Sequence, residues 1–230
     1  MAILPAAVPC STVARVSPPA QQPSLNLAGL RLPLRETVVV LVTTFVLLVD
    51  AYHPLSLPIG PDLNLGLGRL ALFGVVPLIT LLLLGEHPGE YGLRLGEWRI
   101  GLPLLAAGMV IVTPVVLVVA GLPDFAAYYH RAPADLPAAV VGNSVDVGAA
   151  EFLFRGFLMW TLIRVAGPMG VVLATFPFVF THLGKPELET LSTFFGGMGF
   201  GWIAWRTRSV LYSGLLHVYL ISLMVIVAST

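Results

Sequence analysis

The chain has 230 residues, of which 57% are hydrophobic and only 10% charged, and its twelve basic residues cancel its twelve acidic ones. A soluble domain carries about 25% charged residues, and a chain this apolar cannot cover its surface with polar groups, so lipid is its expected solvent. The balanced charge leaves no basic patch for nucleic acid, and the single cysteine, Cys10, excludes an internal disulfide and a cysteine-based metal cluster.

The predicted fold class is an all-α, polytopic transmembrane helical bundle of about seven spans. Residues 1–35, with Pro, Ser, Gln and three arginines, read as a flexible tail that approaches the membrane. Their mildly apolar start has no basic region and is broken by Pro5 and Pro9, so the first span rather than a signal peptide is expected to direct insertion. Residues 36–230 form the membrane domain. A helix needs about 20 residues to cross the hydrocarbon. Seven apolar segments are candidates: Thr37–Leu55, Leu70–Gly85, Ile100–Leu122, Leu136–Gly167, Pro168–His182, Thr190–Trp205 and Val210–Ala228. The third has no ionisable side chain, whereas the fourth holds Asn143, Asp146, Glu151, Arg155 and Arg164. In the sixth, Gly197 and Gly201 are four apart and share a helix face on which a neighbour can approach closely.

A charge inside a bilayer is costly and calls for a partner. Glu151 and Arg155 are one helical turn apart on one face, so Arg155 can hold the carboxylate, and this is either a structural lock or part of a site. His182 closes the fifth segment and His217 is the sole ionisable group of the seventh. A carboxylate can activate water, and imidazoles can place that water or steady an oxyanion. Glu plus two His could equally bind zinc, although no HExxH spacing puts two ligands on adjacent turns.

Glu151-Phe152-Leu153-Phe154-Arg155-Gly156, then Phe178-xxx-His182, then His217 resembles the CPBP family, the CAAX-protease and bacteriocin-processing (Abi) group of intramembrane endopeptidases. That family's motifs are EExxxR, FxxxH and HxxxN or HxxxD on successive helices, and the motif region here falls within 143–221. The resemblance implies peptide-bond hydrolysis by a glutamate-activated water, with Glu151, Arg155, His182 and His217 as catalytic residues and no required cofactor. It implies a membrane-anchored or lipidated protein as substrate, cut near its C-terminus, for instance during protein sorting. Two positions depart from the pattern. Ala150 stands where the family has its first Glu, and Ile221 where it has Asn or Asp. Asp146, one turn before Ala150, could supply the missing carboxylate, and Ser222 the missing polar group. Two other readings stay open: a catalytically silent relative that binds a membrane partner, and a small transporter with a proton path through Asp146, Glu151 and His217.

With the N-terminus inside, the inner segments hold Arg15, Arg31, Arg35, Arg94, Arg99, Arg164, Arg206 and Arg208, and the outer segments hold Arg69, Arg131 and Lys185. This bias predicts a cytoplasmic N-terminus in the plasma membrane of a bacterium and a site that opens outward. Single Lys185→Cys and Arg208→Cys replacements in a Cys10→Ser background test it. Position 185 should react with an impermeant thiol reagent from outside and position 208 from the cytoplasm; the reverse pattern inverts the topology.

Overall fold

The computed structural model describes residues 23–54 and 56–230. Cys10, Arg15 and the other tail residues up to 22 lie outside the described residues, as does Leu55. The last part of the expected tail is paired: β1 (Ser24–Leu27) and β2 (Leu30–Pro33) form an antiparallel hairpin. Its turn residues Ala28 and Gly29 both have positive φ, the conformation of a tight two-residue turn. Leu25 faces Leu32 and Leu27 faces Leu30, so four leucines share one face.

Eight helices follow among the described residues: α1 (Leu34–Tyr52), α2 (Pro61–Leu83), α3 (Trp98–Val119), α4 (Pro123–Tyr129), α5 (residues 136–166), α6 (Met169–Phe180), α7 (Glu187–Thr207) and α8 (Val210–Ala228). The all-α class therefore holds, and each of the seven apolar segments overlaps one of these helices. Helices α2, α3 and α8 are long and apolar enough to cross a membrane; α6 is apolar but short. The outward surface is apolar where a soluble protein would be polar: Val110 and Val118 of α3 are 74% and 72% exposed. Lipid is the solvent that suits such a face.

Two helices are widened by π-helical stretches, Leu70–Val75 in α2 and Phe152–Leu158 in α5. Each begins just after a charged residue, Arg69 or Glu151. The two bulges pack together, with the Phe73 ring edge-on to Phe154 at 6.4 Å, in the main core with Val39, Leu81, Leu153 and Phe157. Such bulges let a helix re-aim its side chains and often mark functional sites.

The loops gather at two ends. At one, Glu86 takes Arg35 at 3.2 Å and Arg164 at 2.9 Å, and the Arg94 side chain donates to the Arg208 carbonyl. Burial opposes the Glu86 charge, but hydrogen bonds from Arg164 and Tyr91 and the nearby guanidinium charges outweigh it and hold this carboxyl below its usual range. At the other end Arg131 grips Asp62 through two contacts of 3.0 Å, and Lys185 meets Glu189 at 3.0 Å. Arg35, Arg94, Arg164 and Arg208, all counted as inner on sequence, thus collect at the first end, and Lys185 and Glu189 lie at the second.

Helix α5, which carries Glu151, is seated on α2 by glycine. A Cβ at Gly66 would meet the Gly142 carbonyl oxygen at 2.5 Å, and one at Gly142 would run into the Asp62 backbone. Gly197 and Gly201 do the same for α7, where a Cβ would meet Thr175 or Val171 of α6 at 2.8 Å, so the close approach expected from their spacing is present. Gly142→Ala should lower unfolding stability by about 1–3 kcal/mol, the usual cost of overpacking. Denaturant titration in detergent micelles checks this; an unchanged midpoint would mean that α2 and α5 separate freely.

Candidate active site

The four residues selected on sequence come from two helices, α5 and α8, and from the turn that follows a third, α6. Glu151 ends the regular turn of α5 and is 1% exposed; Arg155 lies inside the following bulge at 2%. Their contact, Arg155 Nη1 to Glu151 Oε1, is 3.3 Å, and Arg155 Nη2 donates to the Gly197 carbonyl of α7 at 3.3 Å. His217, midway along α8, meets the same carboxylate oxygen through Nδ1 at 3.0 Å. The Arg155 guanidinium lies 3.7 Å from the centre of the Phe178 ring, a distance at which cation and aromatic face attract.

His182 does not reach Glu151. Its Nδ1 faces the Phe178 carbonyl at 3.0 Å, and its Nε2 faces Glu189 Oε1 at 4.0 Å. The reason is the Phe178 ring, which lies edge-on to His182 at 4.7 Å and edge-on to His217 at 5.8 Å and so stands between the imidazoles. The spacing FxxxH places this aromatic spacer one turn before the histidine it supports. Phe200 stacks on the other side of His217 at 4.6 Å and 17°.

Both imidazoles reach an apolar cavity of about 420 Å³ walled by α3, α7 and α8 and closed at one end by α4. Its polar wall groups include His182, His217 and Glu189, and it lies toward the end of the bundle that holds Lys185. Glu151 stands behind His217, within the bundle. Gly196 and Gly199 also face the cavity, and added Cβ atoms there would meet nothing within 4 Å.

The carbonyl of Phe178 and the ionised carboxylate of Glu151 can only accept, so each histidine donates from Nδ1. In a neutral imidazole tied in this way, Nε2 is left with a lone pair for chemistry. Asp146 is committed elsewhere: its Oδ1 takes Arg69 Nη1 at 2.9 Å, and Arg69 also holds Asp50 at 3.0 Å. That separate cluster ties α5 to α1 and α2, so the Asp146 carboxylate faces Arg69 and is not part of the cavity wall. Ala150 is buried in the main apolar core, and Ile221 sits in a second apolar cluster with Val116 and Phe125.

Glu151 Oε1 is already shared by His217 and the Arg155 cation, and among the described residues no group of three or more His, Cys, Asp or Glu side chains is arranged to hold a metal ion.

Residues 132–221 match the family model described as Type II CAAX prenyl endopeptidase Rce1-like. This segment, less than half of the chain, is similar to that family, in agreement with the resemblance read from the motifs. No curated protein and no solved structure gives a match. The Rce1-like segment contains Glu151, Arg155, His182, His217 and also Glu189. That last carboxylate was missed on sequence, although Lys185 and Glu189, four residues apart at the start of α7, were a readable signal. Tyr129, whose hydroxyl reaches both Glu189 oxygens at 2.7 Å, lies just outside the segment.

Glu151 Oε2 and Arg155 Nη1 have no hydrogen-bond partner among the described residues, so the two charges depend on each other. Glu151→Gln leaves the guanidinium buried without its counter-charge and should cost about 3–5 kcal/mol of stability. Arg155→Met should cost a similar amount, and the double variant much less than the sum. A double-mutant cycle read by denaturant unfolding measures this coupling; additive effects would mean that the pair does not interact.

Proposed function

We propose that this protein hydrolyses a peptide bond in a membrane-anchored or lipidated protein, near that substrate's C-terminus, by attack of a water molecule. The observation that carries this reading is the placement of two imidazoles on one apolar cavity, each with Nδ1 tied back and Nε2 left to act. An apolar cavity suits a membrane-embedded segment, and the glycines in its wall leave room for an extended chain. The chain is read as crossing the plasma membrane seven times with its N-terminus in the cytoplasm, so the cavity opens outward.

Glu151 was the expected water-activating base. Its place behind His217 supports a different division of labour. The carboxylate holds the imidazole in one tautomer and stabilises it when it takes up a proton, as a buried acid does for a catalytic histidine. Arg155 pairs with that carboxylate and packs on the Phe178 ring. His217 then serves as the acid toward the leaving amine, and His182 stands beside the attacking water. The reaction consumes water and peptide and releases a carboxylate and an amine, and a zinc ion is not required by this scheme.

One other reading has a specific observation behind it. Ala150 and Ile221 are buried among apolar side chains where the family pattern has polar ones, as a silent relative that only binds its partner would have them. Cleavage decides between the two. With a quenched fluorescent peptide ending in a prenylated CAAX box, in proteoliposomes, the natural chain should release product and His217→Gln should lose at least about 100-fold in kcat, the usual contribution of a positioned acid or base. Binding of the peptide with no product would favour the silent reading.

A further inference from the structure

Glu189 belongs to no motif of the family pattern, yet it is the carboxylate that meets the cavity. It sits in the first turn of α7, and Tyr129 donates to both of its oxygens at 2.7 Å. Lys185 donates to Oε1 at 3.0 Å, and His182 Nε2 lies 4.0 Å from that oxygen. Four groups from α4, the loop after α6, and α7 thus converge on one wall, and the Thr190 hydroxyl, donating to the His182 backbone carbonyl at 2.7 Å, ties the loop to the helix.

The tautomer makes this arrangement unusual. Because Nδ1 of His182 is turned to the Phe178 carbonyl, Nε2 presents a lone pair, and it presents it to a carboxylate. Two acceptors facing each other at 4.0 Å repel unless a donor of two hydrogens lies between them. A water fits: two hydrogen bonds of about 2.8 Å spanning that gap meet at the oxygen at roughly 90°, close to the angle between a water's own O–H bonds. Both hydrogens are then engaged, and the oxygen lone pairs are free to face the cavity.

We propose that Glu189 and His182 together hold and deprotonate the hydrolytic water, so that Glu189 takes the place left open by Ala150. This rests on the hydrolytic function proposed above. The water gives one proton to His182 Nε2 while Glu189 holds the other hydrogen, and the water oxygen bonds to the scissile carbonyl carbon. His182 passes its proton to the free Nε2 of His217, directly or through solvent in the cavity. The C–N bond then breaks, and His217 hands that proton to the amine nitrogen, so both imidazoles return to their neutral state. Lys185 and Tyr129 are positioning residues that fix the carboxylate.

The test uses the full chain in lipid nanodiscs. Glutamine at 189 can still accept from Tyr129 and Lys185 through its amide oxygen, so Glu189→Gln keeps the wall intact. With the prenylated peptide as probe, Glu189→Gln should lower kcat by about 10²–10⁴-fold, with KM and the unfolding midpoint little changed. If Glu189→Gln cleaves at the natural rate while His217→Gln is inactive, the assignment of Glu189 falls and the protease reading stands. If the natural chain itself releases no product, the protease reading falls, and the facing pair is then judged without activity. In ¹⁵N spectra of histidine-labelled protein, assigned with His182→Gln, His182 should carry its proton on Nδ1 and none on Nε2. A protonated Nε2 would make the contact an ordinary ion pair and overturn the water site.

Discussion

Glu151 is a carboxylate taken out of water inside a bundle whose outer surface is built for lipid, and its charge must be met where it stands. Arg155 meets it from one turn along the same helix, and His217 meets it from α8. An isolated carboxylate in so apolar a setting would cost far more than the bundle could supply, so the neighbours are fixed by necessity. Arg155 in turn needs the Gly197 carbonyl and the Phe178 ring, which requires α6 and α7 to lie close. The glycines at 197 and 201 permit that closeness. One buried charge thus determines which faces of α5, α6, α7 and α8 look at one another.

The same constraint separates holding from reacting. The carboxylate that is best secured, Glu151, does not line the cavity, whereas its partner His217 does. The carboxylate that does touch the cavity, Glu189, is secured by different means, with Tyr129 and Lys185 at the end of the bundle rather than in its centre. A third acidic cluster, Asp50 and Asp146 around Arg69, fastens α1, α2 and α5 and takes no part in the cavity. Three sets of buried or half-buried acids therefore have three different tasks, decided by which cation each one meets.

The bulge after Glu151 links fold and site. In an unbroken α-helix the residues after Glu151 would continue at 3.6 per turn; the π-helical stretch 152–158 rotates them, so that Phe154 meets Phe73 and Phe178 while Arg155 still reaches back to Glu151. A wide turn exposes backbone groups, and the matching bulge in α2 packs against it, which keeps that irregular backbone away from lipid.

Composition was enough to indicate the all-helical membrane class, because it leaves lipid as the solvent, and the run of apolar residues placed seven segments that the helices overlap. The sequence also named Glu151, Arg155, His182 and His217, because an ionisable residue in an apolar helix is conspicuous, and the family model falls on the segment that holds them. The hairpin at 24–33 was not legible, since four alternating leucines among polar residues look like tail until the turn at Ala28 and Gly29 brings them onto one face. Which acid each base meets is set by packing in three dimensions. Spacing along one helix fixes Glu151 against Arg155, but Asp146 with Arg69, His217 with Glu151 and His182 with Glu189 are separated by 77, 66 and 7 residues along the chain. Those pairings follow from helix packing set by small residues and by the Phe178 ring, a three-dimensional constraint that no periodicity in one segment can carry.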